Sequence, residues 1–146
     1  MLSLNNRITT LETPSVVAFK AVSDVFDDYL FNTGTVAPFN VLSFCVPDAT
    51  RYNTAECSYT VPVEGIYQFT IKTHNDIPPN AAIDLALYKN GLVFSLVRVF
   101  GQIITVVTDH CMVGDVYQVK MPSTGESGVV LRMSQFRAHF EGHLIK

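Results

Sequence analysis

After Pro14 the chain is a succession of short runs rich in Val, Ile, Phe, Tyr and Thr, cut every few residues by Gly, Pro, Asn or Asp. Runs of that length and composition, bounded by such breakers, read as strands and turns. AIDLALY alternates cleanly, with Ile83, Leu85 and Leu87 on one side and Asp84, Ala86 and Tyr88 on the other. Lys89-Asn90-Gly91 follows, and Asn-Gly between two such runs is the strongest short-range hairpin signal. Further strands are expected at 16–21, 39–46, 57–62, 65–73, 92–100, 103–110, 115–121, 128–134 and 136–145. FNVLSFCV is apolar nearly throughout, which predicts a strand covered on both faces. SDVFDDYLFNTGTVAP (23–38), VPDATRYNTAE, HNDIPPN, MVGD and PSTGESG are expected as loops or turns. Roughly ten short strands with no interior helix predict an all-β sandwich or jelly roll.

The first twelve residues follow a different period. Met1, Leu4, Ile8 and Leu11 are spaced three, four and three apart, a heptad seam with Met1 and Ile8 at a and Leu4 and Leu11 at d. The spacing predicts a helix over 1–12 that stops before Pro14, which restricts Thr13. Isolated helices under about 12–15 residues are marginal, so this seam needs a partner. Arg7 falls at g and Glu12 at the following e, positions that pair between neighbouring chains. The Arg7 stem can also cover the seam. The chain is therefore divided into a stem, 1–13, and a head, 14–146. The plain alternative is an amphipathic arm folded onto its own domain.

At 48% hydrophobic and 16% charged, the chain has more apolar surface to bury than a soluble monomer of 146 residues usually does. No run approaches the ~18 apolar residues of a membrane span. The longest, LVFSLVRVFGQIITVV, is interrupted by Arg98 and Gly101 and reads as two strands. Contact between subunits is the natural home for the surplus. A net charge of −3 without a basic patch argues against nucleic acid. Cys45, Cys57 and Cys111 form no CxxC pair and are odd in number. They read as buried thiols rather than a disulfide framework or zinc site. The first fifteen residues are amphipathic, not apolar, so no signal peptide is expected there. There is also no N-x-S/T sequon. Both absences favour assembly in a reducing compartment.

Several motifs carry a family likeness. YNTAECSYTVPVEGIYQFTI resembles the central block of complement 1q-type globular heads, with Tyr59, Thr60, Pro62, Gly65, Tyr67 and Phe69 in the matching positions. LYKNGLVFSL is similar to the family's Lys-Asn-Gly hairpin, and VGDVYQVKM to its Gly-Asp strand. FRAHFEGHLIK resembles its terminal strand, and VAFKA its first. The chain departs from the pattern in having no tryptophan, and Val61 stands where the family commonly has a cysteine. The resemblance implies a ten-stranded jelly roll that forms homotrimers, as in the tumour-necrosis-factor superfamily. Arg7 to Glu12 also fits the Arg-h-x-x-h-Glu pattern of short trimeric coiled coils. By itself, Ile at a with Leu at d is a two-strand preference, which a trimeric head would outvote.

His139, Glu141 and His143 alternate onto one strand face, with Arg137 and Ile145. Phe136, Ala138, Phe140 and Leu144 face the core. By resemblance the terminal strand faces the trimer axis, so three copies would gather several imidazoles, as a metal site or pH switch would need. The plain alternative is an outward polar face. Asp24, Asp27 and Asp28 form an acidic loop. Some relatives of the family bind calcium, but no EF-type spacing is present, and solvated carboxylates are the better reading.

No G-x-S-x-G, P-loop or HExxH motif appears. Cys111 follows His110, but adjacent strand residues point to opposite faces and make no dyad. Asp109 and Asp115 read as structural. The expectation is a non-enzymatic homotrimeric head for a receptor or glycan, with no cofactor beyond the calcium question. A coil followed directly by a β head looks like the end of a viral or phage fibre, joined to an upstream stalk or virion component. That places the head on a virion surface, for host attachment. A secreted complement 1q-domain or cytokine-like protein is the alternative, and a purely structural trimer the third reading.

Overall fold

The computed structural model describes residues 16–24, 28–31, 34–74, 83–99, 102–122, 129–132 and 138–145. The stem expectation, with Leu4, Arg7, Ile8, Leu11 and Glu12, lies outside them, as do Asp27, Phe136 and Arg137. Among the described residues there are twelve strands: β1 Ala18–Val22, β2 Asp28–Phe31, β3 Val41–Val46, β4 Tyr52–Asn53, β5 Ser58–Thr60, β6 Gly65–His74, β7 Ile83–Lys89, β8 Leu92–Val99, β9 Gln102–Cys111, β10 Val116–Lys120, β11 Val129–Arg132 and β12 His139–Leu144. The first sheet has the order β3-β1-β12-β6-β9 and the second β4-β5-β10-β7-β8; β11 and β2 form a two-stranded ribbon. This is the all-β jelly-roll sandwich that the strand pattern predicted.

Three details depart from the sequence reading. The stretch 23–38 is not only loop, because β2 lies within it and pairs antiparallel with β11. Its Asp and Asn-Thr-Gly breakers disguise a run, DYLF, whose composition suits a strand. The turn VPDATRYNTAE holds a cis Val46–Pro47 bond, a 3-10 turn at Ala49–Arg51 capped by Asp48, and β4. And β3, expected to be covered on both faces, is an edge strand with Phe44 and Val46 exposed.

The hairpin signal is realised as read. Asn90 and Gly91 have φ of 53° and 81°, the paired positive values of a turn matched to strand twist. Aromatic pairs join the two sheets. Phe19 of β1 stacks on Tyr59 of β5 at 4.0 Å, and Phe69 of β6 meets Tyr117 of β10 at 4.3 Å. Phe140 of β12 meets Phe19 edge-on at 5.0 Å. Such pairs add about 0.5–1.5 kcal/mol each beyond their area burial. Gly142 sits in register between Phe19 and Phe69, and only a residue without a side chain leaves both rings room.

The turns at 61–64, 90–91 and 112–115 gather at one end of the sandwich. They are tied by Val61 N–H to the Asp115 carbonyl, Gly114 N–H to that of Val61 and Asn90 N–H to that of Val116. The described chain also begins and ends there, where Leu144 N–H bonds Val17 and Ile145 N–H bonds Ile66. We call it the proximal end.

Candidate functional site

The outward face of the first sheet is the candidate contact surface. The registers align Phe44, Lys20, Glu141, Thr70 and Val106 in one row across all five strands. A second row runs His139, Lys72 and Ile104. The middle of the face is polar, while its two edges are apolar. On β9, Ile104 and Val106 are 61% and 55% exposed, with exposed Leu96 on the adjoining β8. On the opposite edge stand Phe44, 46% exposed, and Val46. Strand spacing of about 4.8 Å puts these two patches about 19 Å apart.

His139, Glu141 and His143 share this outward face as the alternation predicted, while Ala138 and Phe140 are buried in the core. His139 Nε2 lies 3.8 Å from Glu141 Oε1. Burial holds the His139 imidazole below its ordinary value; Glu141 pulls it up, and Lys20 and Lys72 push it down. His143 is exposed, beside Ala18 and Gln68 in register. Among the described residues of one chain, no three His, Cys, Asp or Glu side chains converge as metal ligands do. Asp24 and the Asn40 amide are paired instead, with Asn40 Nδ2 donating to Asp24 Oδ1 at 2.9 Å and Asp24 N–H donating back to Asn40 Oδ1. Asp28 begins β2.

A polar cluster that the sequence did not reveal joins the sheets near the proximal end. Lys89 of β7 meets Asp109 of β9 at 2.7 Å, and Tyr117 of β10 donates its hydroxyl to the same carboxylate oxygen at 2.5 Å. The Cys111 sulfur lies 3.1 Å from that hydroxyl. Asp115, 3.8 Å from Lys89, accepts from the Asn90 amide and from Met112 N–H. Asn90 Oδ1 in turn accepts from Val116 N–H at 2.8 Å. The Asp109 bond raises the Lys89 ammonium above its usual range, while the Asn90 and Met112 donors lower the Asp115 carboxyl. Lys89, Asp109 and Tyr117 come from three different strands, so no local spacing betrays the cluster. Asn90 reads from sequence as a turn residue only, though its side chain also anchors the neighbouring turn.

All three cysteines are free and buried. Burial raises each thiol, Cys57 to about 11, so none is a thiolate at neutral pH. His110 is exposed beside Glu64 at 3.6 Å, on the face opposite buried Cys111. A groove of about 550 Å³ lies beside the second sheet, lined by Val36, Asn40, Glu56, Cys57 and Gln118 among others. Its amides are already engaged, with Gln118 donating to the Glu56 carbonyl and Asn40 bound to Asp24. No helix among the described residues is long and apolar enough to cross a membrane.

No protein-family model and no curated protein matches this chain. Solved structures do. The globular domain of zebrafish complement 1qA protein superposes with a TM-score of 0.63 at 14% identity, over 89% of this chain and 98% of that one. Eiger TNF from S. frugiperda gives 0.63 at 9% identity, over 90% and 93%. Murine APRIL gives 0.58 at 12% identity, over 90% and 100%. The likeness spans nearly the whole of each structure and matches the fold that the strand motifs implied.

Proposed function

We propose that this complement 1q/tumour-necrosis-factor-type jelly roll is a non-enzymatic head that assembles as a homotrimer and binds a receptor or glycan. The observation that carries the reading is the pair of apolar patches at opposite edges of the first sheet. Two different patches on one subunit are what a head-to-tail ring needs, each copy presenting one edge to the other edge of the next. A ring of three is the reading that the likeness to complement 1q and tumour-necrosis-factor heads supports. Covering Phe44 and Val46 in that ring also accounts for β3, whose sequence reads as buried on both sides. The polar strip of Lys20, His139, Glu141 and His143 then turns toward the axis. Three equal heads let weak individual contacts suffice.

For its setting, we favour a virion or fibre surface serving host attachment, with residues 1–13 as the stem. The buried, unpaired cysteines support assembly in a reducing compartment. A secreted recognition or cytokine-like protein is the second reading, favoured by the likeness to complement 1qA, Eiger TNF and APRIL. Glycan and cell-surface arrays probed with the assembled protein test the binding role. Saturable binding supports it, and no binding to any array leaves the purely structural trimer. The genes flanking its own test the setting: a virion gene cluster supports the first reading, and an encoded signal peptide the second.

A further inference from the structure

The outward face of the first sheet carries its charge along the middle. Lys20 of β1, Lys72 of β6 and Glu141 of β12 surround His139 in two adjacent register rows, and His143 lies two residues beyond Glu141. The flanking strands add Phe44, Ile104 and Val106 to these rows and no titratable group. His110 stands farther along β9, with Glu64 at 3.6 Å as its own partner. At neutral pH the strip therefore sets two ammonium groups against one carboxylate, a net positive charge on a chain whose total is −3. His139 sits at the centre of the strip. Its side chain is only 17% exposed, 3.8 Å from the Glu141 carboxylate.

We infer that the trimer is released by acid, with His139 as the proton sensor and His143 as a second imidazole on the same strip. This rests on the ring proposed above, which turns the strips of three copies toward one axis. A proton on each His139 doubles the net charge that the strips bring together, and like charges across an interface oppose assembly. One carboxylate per copy cannot neutralise two ammonium groups and an imidazolium. In the single chain, burial already favours the neutral imidazole; Glu141 opposes this, and Lys20 and Lys72 add to it. Closing the ring withdraws more water from the same group, so a separated head binds the proton more readily than an assembled one. By linkage, assembly is favoured above the histidine range and weakens as pH falls through it.

Dilution series of the full chain, read by light-scattering mass at pH 7.5 and pH 5.5, test this. Far-ultraviolet circular dichroism at both pH values checks that the heads stay folded. Three coupled imidazoles should raise the concentration at which half the trimer dissociates by at least about tenfold at the lower pH. In His139→Gln the same change of pH should move that concentration by less than about threefold. A wild-type midpoint that does not move overturns the inference, and so does an equal shift in the variant. Should the variant fail to assemble at pH 7.5, titration of the His139 imidazole by nuclear magnetic resonance decides. It must protonate at lower pH in the wild-type trimer than in the dissociated Ile104→Asp, Val106→Asp variant, and equal values overturn the inference. A wild type of 16.2 kDa at pH 7.5 marks failure of the ring itself, and the inference falls with it.

Discussion

The Phe19 ring occupies the space that a side chain at Gly142 would need: an added Cβ would lie 2.6 Å from Phe19 Cε1, with Phe69 Cδ1 at 2.8 Å on the other side. All three residues sit in one register row of the first sheet. Phe19 is also the ring that stacks on Tyr59 of the opposite sheet, so it cannot retreat without loosening the contact between the sheets. Gly142→Ala should therefore destabilise the protein by about 2–3 kcal/mol through overpacking. Chemical denaturation measures this, and a loss below about 0.5 kcal/mol would show that the rings give way.

Asp109 accepts from both Lys89 and Tyr117. Asp109→Ala leaves a half-buried ammonium and a buried hydroxyl short of a partner, and should cost about 2–3 kcal/mol. Tyr117→Phe removes only the hydroxyl and should cost about 1 kcal/mol. Because the two share one bond, the double variant should lose less than the sum of the single losses. Strict additivity in denaturant unfolding would mean that the cluster is not a unit.

The depressed His139 imidazole gives stability a pH dependence. Its neutral form is favoured in the fold, so the unfolded chain binds the proton first as pH falls through the ordinary histidine range. Stability contributed above that range is lost as pH drops, and the loss levels off below the folded value. Glu141, Lys20 and Lys72 are the charged groups beside it. The midpoint of thermal unfolding should fall between about pH 7.5 and about pH 5.5, and fall less in His139→Gln. Equal slopes in the two proteins would place the pH sensitivity elsewhere.

At the opposite end of the scale, Lys89 has a raised folded value, so its contribution is whole below the ordinary lysine value and is lost only as pH rises through the folded one. Asp115, held low, contributes above the ordinary carboxyl value and is lost as acid protonates it in the fold. Asn90→Ala removes the first donor on Asp115 and should shift the acid unfolding transition to higher pH. An unchanged transition would show that the Met112 N–H alone sets the carboxyl.

Much of this architecture was legible because strands announce themselves locally. Ile83 to Tyr88 alternate, Asn-Gly supplies two positive φ values, and the spacing of Tyr59, Tyr67 and Phe69 carries the family likeness. Gly142 lies within FRAHFEGHLIK, a run that carried the likeness, but the need for glycine there, two flanking rings, appears only in register. What stayed hidden depends on pairing between distant segments. DYLF needed β11 to show itself as a strand. Asp109, Lys89 and Tyr117 meet from three strands, and a run as apolar as FNVLSFCV gives no sign that it lies at a sheet edge with Phe44 and Val46 exposed.

The central claim is that the two apolar edges of the first sheet complete each other between copies. Light scattering with absolute mass at micromolar concentration tests it most directly, on the wild type and on an Ile104→Asp, Val106→Asp variant. Both side chains are exposed in the single chain, so the variant should keep its fold. The account predicts three times the 16.2 kDa chain mass for the wild type and a dissociated variant. A wild type at 16.2 kDa, or a variant that remains trimeric, would contradict it.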